Sequence, residues 1–121
     1  MKQKDLQILA EWMYGDKLSD MVLPDECQHI SIEFKESIGQ LTYFDPIEFS
    51  NQLDMLEDKM IKEARIKRKE IFYRDKWTAA RYFTDSEHFF LGAVSNRKIE
   101  NEARLNAILK FAKQQNGKIT E

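Results

Sequence analysis

The run Asp45-Pro46-Ile47-Glu48 most constrains what this 121-residue chain can become, because it reads as the start of a long amphipathic helix. The Asp45 carboxylate can accept from the free amides of a first turn. Pro46 suits the first helical position, where a missing N–H costs nothing, and Glu48 completes a reciprocal capping box. Behind them Phe49, Leu53, Leu56 and Met60 recur at i, i+4, i+7 and i+11, the stripe of a helix that buries one face. The spacing predicts a helix from Pro46 to around Ala64.

The flanking elements follow from the same periodicities. Residues 3–14 predict a first helix, with Leu6, Leu9, Ala10 and Met13 on one stripe, Ile8 and Trp12 widening it, and Gly15 to stop it. Asp16 to Gln28 is polar and turn-rich around Pro24-Asp25 and reads as irregular. His29 to Phe34 alternates, with Ile30, Ile32 and Phe34 on one face, which is a strand signal. Glu36-Ser37-Ile38-Gly39 reads as a turn and Leu41 to Phe44 as a short return strand. Further on, Glu70 to Arg74 and Trp77 to Phe83 are aromatic-rich strands separated by Arg74-Asp75-Lys76, Thr84-Asp85-Ser86-Glu87 is a turn, and His88 to Val94 is a buried strand. Ser95 or Asn96 then caps a last helix reaching around Gln115, striped by Leu105, Ile108, Leu109 and Ala112 and ended by Gly117. The order predicts one α+β domain over residues 1–121, its helices packed on a mainly antiparallel sheet in α/β/α sandwich-like layers.

Composition narrows the function classes. With 42% hydrophobic and 33% charged residues the chain is ordinary globular sequence. A net charge of −2 argues against strong nucleic-acid or membrane-surface binding. A lone Cys27 excludes an internal disulfide framework, and two histidines with one cysteine are too few for a structural zinc site. No metal and no cofactor are expected. No apolar run approaches the roughly 18–20 residues that span a bilayer, and the opening Met1-Lys2-Gln3-Lys4-Asp5 lacks the apolar core of a signal peptide. The expected location is cytoplasmic.

Three groups of residues can carry recognition. Lys59 to Lys76 holds eight cations against three acids, a local charge of +5 in 18 residues. Such a segment can hold phosphates or an acidic partner, and it also reads as a solvated helix end and strand rim. The aromatics Trp77, Tyr82, Phe83, Phe89 and Phe90 can stack on bases or fill the core, and strand alternation sends Tyr82 and Phe83 to opposite faces. Arg97, Lys98 and Arg104 stand at the start of the last helix, with Arg97 and Arg104 seven apart. A small-ligand site therefore has four candidate residues: Tyr82 or Phe89 stacking on a base, Arg97 and Arg104 on phosphate. In the competing reading the rings are core and the arginines pair with Glu100 or Glu102. Glu87-His88 does not make an acid–base dyad, because neighbours in a strand point apart, and Cys27 has no helix N-terminus to activate it. No nucleophile, metal cluster or Gly-rich phosphate loop is present, so the chain does not read as an enzyme.

Three stretches resemble the phage ABA-sandwich domain family, small phage and prophage proteins of mostly unknown function. They are Leu9-Ala10-Glu11-Trp12-Met13-Tyr14-Gly15, the segment Tyr43-Phe44-Asp45-Pro46-Ile47-Glu48-Phe49-Ser50-Asn51-Gln52, and Asn101-Glu102-Ala103-Arg104-Leu105-Asn106-Ala107-Ile108-Leu109. Phe44 stands where the family usually carries tryptophan. The resemblance implies a central antiparallel sheet between helical layers and a phage-related origin, and it implies no activity. The functional expectation is a non-enzymatic accessory module that sequesters a phosphorylated small ligand or a host factor. The alternative is a protein–protein interaction module that uses segment 59–76, and either can act as a homodimer.

Overall fold

The computed structural model describes residues 2–23, 29–95 and 100–119, the last four as backbone only. Helix α1 (Gln3–Tyr14) ends as expected at Gly15, whose φ of +48° suits a residue without a Cβ and whose N–H donates to the Glu11 carbonyl. Strand β1 (Leu18–Val22) follows, then β2 (Ile30–Phe34) and β3 (Leu41–Phe44), forming an antiparallel sheet in the order β1-β2-β3. Helix α2 (Ser50–Ala64) leads into β4 (Ile66–Arg74), β5 (Trp77–Thr84) and β6 (Phe89–Val94), a second antiparallel sheet, and α3 (Glu100–Ile119) closes the described chain. The α+β class and the antiparallel strands are as expected. The strands divide into two three-stranded sheets, where the family resemblance implied one central sheet.

The helices connect these sheets. Contacts run from β2 to α1, from α1 to α3, and from α3 to β5 and β6, while α2 lies beside α3 and reaches β4. The aromatic side chains trace that path. Tyr14 meets Phe34 and Phe44 edge-on, at ring-centroid separations of 4.9 and 6.1 Å. Phe111 of α3 meets both Trp12 of α1 and Phe90 of β6, at 5.8 and 5.4 Å. One cluster of buried side chains joins Leu6 and Leu9 of α1, Ile30 and Ile32 of β2, Leu53, Leu56 and Met60 of α2, and Leu105 and Ile108 of α3.

Helix α2 differs from expectation at its start. It begins at Ser50, so Asp45-Pro46-Ile47-Glu48 is a separate turn before the helix. Asp45 still acts as a cap, its carboxylate accepting from the Ile47 and Glu48 amides at 3.2 and 3.1 Å, and the Phe49 N–H reaches the Asp45 carbonyl at 2.8 Å. The reciprocal bond comes from Gln52, which accepts the Asp45 N–H at 2.7 Å and donates to the Tyr43 carbonyl at 2.7 Å. This clamp ties the end of β3 to α2. Phe49, placed on the buried stripe by spacing, is 42% exposed because it precedes the helix and does not share its phase.

Other boundaries move for similar reasons. β1 lies inside the stretch read as irregular and exists through pairing with β2, Met21 facing Ile32 and Val22 facing Ser31. β4 begins at Ile66, four residues earlier than the aromatic pattern suggests, directly after Arg65 ends α2 in the left-handed conformation. α3 continues past Gly117 to Ile119. Pro24-Asp25, Cys27 and the Asn96 cap lie outside the described residues. No helix among the described residues is long and apolar enough to cross a membrane.

Gly92 sets how closely α3 sits on the second sheet. A Cβ built there would lie 2.0 Å from the Ala103 carbonyl oxygen and 2.4 Å from the Ala107 amide nitrogen. The helix backbone therefore touches β6 at Gly92, and the small side chains at Ala103, Ala107 and Ala80 leave room for that approach.

Candidate functional site

Alternation gives the β4–β5–β6 sheet two chemically different faces. Pairing aligns Lys69 with Tyr82 and Phe90 on the inner face, toward the helices, and Arg68 with Phe83 and Phe89 on the outer face. The residues expected to form one ligand site are divided by this geometry. Tyr82 is inner and fully buried, Phe89 is outer and 50% exposed, Arg104 projects from α3 on the inner side, and Arg97 lies outside the described residues. Tyr82 offers no free face to a base.

Tyr82 and Arg104 do meet, through a residue that sequence reasoning passed over. Glu57 of α2 is 7% exposed and accepts the Tyr82 hydroxyl proton, the Arg104 Nε–H at 3.0 Å and the Lys69 ammonium at 3.1 Å. Arg104 is further held by Asp54 at 3.1 Å and by the Asn101 side-chain oxygen at 3.2 Å. Burial by itself would raise the Glu57 carboxyl; the hydrogen bonds from Tyr82 and Arg104, with the charge of Arg104, outweigh it and hold the group below the usual carboxylate range. Burial, then the hydrogen bond to Glu57, pushes the Tyr82 phenol well above its ordinary value. Burial works against the charge on Arg104, but Glu57 and Asp54 overcome it and keep the guanidinium protonated. The arrangement ties α2, β4, β5 and α3 together, and its polar groups are occupied by one another. A signal for it does exist in the chain: Glu57 sits four after Leu53 and three before Met60, on the apolar stripe itself.

The outer face has the opposite character. Arg81 lies across it, its guanidinium carbon 4.6 Å from the centre of the Phe72 ring, 5.5 Å from Phe83 and 5.9 Å from Phe89. Arg68 covers Phe83 at 4.3 Å. Glu70 is shared by both arginines, at 2.9 Å from Arg81 and 3.5 Å from Arg68. At the hairpin end Trp77 is 52% exposed and pairs in register with Arg74. Three of the eight cations of the basic segment are thereby sorted: Arg68 and Arg74 face outward beside aromatics, and Lys69 turns inward to Glu57. The face thus carries two half-exposed rings, Trp77 and Phe89, beside three arginines, two of which share the one carboxylate of Glu70.

The described residues contain no cluster of three His, Cys, Asp or Glu side chains able to hold a metal ion, and His88 and Glu87 are both exposed at a turn. Compared with known proteins, the chain matches no family model, no curated protein and no solved structure.

Proposed function

We propose that this chain is a non-enzymatic binding module whose working surface is the outer face of the β4–β5–β6 sheet, and that its partner presents an anionic macromolecular surface. The observation that carries the reading is the combination on that face of half-exposed Trp77 and Phe89 with three arginines, Arg68, Arg74 and Arg81, against the single acid Glu70. Buried aromatic and arginine anchors dominate binding energy in known interfaces. A hollow beside these rings, about 430 Å³ and lined by Lys67, Arg68, Phe83, Thr84 and Glu87, is open to solvent and stands at one end of the face, away from Trp77 and Arg74. The full set of rings and arginines therefore favours a partner that brings its own surface over a sequestered metabolite. The polar cluster most like a catalytic constellation, around Glu57, has its acceptors already filled, which supports the non-enzymatic reading. The motif stretches that resemble the phage ABA-sandwich family support an accessory role of phage type.

Backbone amide chemical shifts followed during titration with two polyanions, poly-L-glutamate and heparin, test the reading. The expected shifts cluster on Arg68, Arg74, Trp77, Arg81 and Phe89. Shifts centred on β1–β3, or none on the outer face, would refute it.

A further inference from the structure

We infer that the anionic partner of this face is a single-stranded nucleic acid, whose bases stack on the exposed rings and guanidinium planes while its phosphates meet the arginines. The inference rests on the reading of the outer face as the binding surface. It is carried by the arrangement of flat groups across the strands. Pairing places Arg68, Phe83 and Phe89 side by side at one end of the face, and Arg74 beside Trp77 at the other. Phe83 lies six positions along β5 from Trp77, so the two ends stand about 20 Å apart, room for several nucleotides. The guanidinium of Arg68 lies over the Phe83 ring, as expected for a plane stacked on a ring, and such planes serve as platforms for unpaired bases just as aromatic side chains do.

Charge decides between candidate occupants. A second copy of the chain would bring the same arginine excess against itself, which opposes a face-to-face dimer. Duplex nucleic acid hides its base faces in the stack and would leave the rings unused. An acidic protein surface satisfies the arginines and can use single rings as anchors, but it does not call for flat groups set at both ends of one β-strand. A single strand satisfies both at once. The same local charge explains why net charge points elsewhere: the acids that bring the whole chain to −2 include Glu57, Asp54 and Glu33, and the strands of the outer face carry one acid, Glu70, with Glu87 in the turn beside Arg68 and Phe83.

Fluorescence anisotropy of labelled oligo-dT, oligo-U and a DNA duplex of equal length, read together with Trp77 emission, tests the inference. Three arginine–phosphate contacts predict a slope of log K against log salt near −2 for single strands. The expected result is single-strand binding at least about tenfold tighter than duplex, or 1.4 kcal/mol, with quenched Trp77 emission. The ratio of oligo-dT to oligo-U affinity distinguishes a DNA from an RNA source. Trp77→Ala and Arg74→Ala change exposed positions, and each is expected to lower affinity at least about fivefold with the circular dichroism spectrum and melting temperature retained. Duplex binding equal to single-strand binding, or single-strand binding unaffected by Trp77→Ala, would overturn it. Poly-L-glutamate that shifts the outer-face amides while oligonucleotides leave them unmoved would also overturn it, yet leave the binding-face reading standing. Failure of both probes to reach the face would remove both.

Discussion

Glu57 is the residue whose replacement is most revealing, because its carboxylate joins four elements from a buried position. Glu57→Ala removes the acceptor for the fully buried Tyr82 hydroxyl and strips Arg104 of its closest internal anion. Removing one member of a buried ion pair costs about 3–5 kcal/mol. Two features reduce that cost here: Arg104 keeps Asp54 and Asn101, and the Lys69 side chain is exposed enough to turn to water. The expected loss is therefore about 2–3 kcal/mol, near the cost of one buried hydroxyl and one charge left short of partners. At this chain length it lowers the melting temperature by about 8–12 °C. Urea denaturation monitored by circular dichroism measures the loss directly. Glu57→Gln keeps an oxygen for Tyr82 and should cost less than the alanine change.

Acid gives an independent check on the same group. The Glu57 carboxyl is held below its ordinary value of 4.5 in the folded protein, so folding favours the ionised form. Its stabilisation is complete above the unfolded value and is lost as pH falls through the lower folded value. The stability gap between the parent and Glu57→Gln should be constant from about pH 6 to 8 and shrink below about pH 4.5. A Glu57→Ala variant within about 0.5 kcal/mol of the parent, or a gap that does not shrink in acid, would refute the account of the network.

Three further outcomes are expected. Gly92→Ala forces α3 away from β6, since the clash is with backbone that no rotamer change relieves; we expect a loss of about 1–3 kcal/mol or more in thermal unfolding, and an unchanged midpoint would mean the helix does not touch the strand there. Asp45→Ala removes the acceptor for the Ile47 and Glu48 amides and should cost about 0.5–2 kcal/mol in urea denaturation. Gln52→Ala breaks the clamp between β3 and α2 at both ends, with an expected cost of about 1–3 kcal/mol; hydrogen exchange at the Asp45 amide should accelerate in that variant, and unaltered exchange would argue against the clamp.

Local pattern by itself determined much of this architecture. The 3.6-residue stripes of α1 and α3, the alternation of Ile30, Ile32 and Phe34, and the positive-φ stop at Gly15 are properties of short windows, and each element forms in its window, although α3 runs on through Gly117. Alternation also separated Tyr82 from Phe83, although it did not say which would face inward. What a window cannot contain is the partner. β1 has a weak pattern and becomes a strand because β2 offers it an edge, and the Asp45 turn stays apart from α2 because Gln52 reaches back to close it. Only the tertiary structure decided the fate of the charges. Glu57 is buried because Lys69, Tyr82 and Arg104 arrive from 12, 25 and 47 positions away to compensate its desolvation, whereas Arg68, Arg74 and Arg81 remain outside because their strand phase turns them from the helices. A charge is stable in an interior only with its counter-charges in place, and those are set by the fold as a whole.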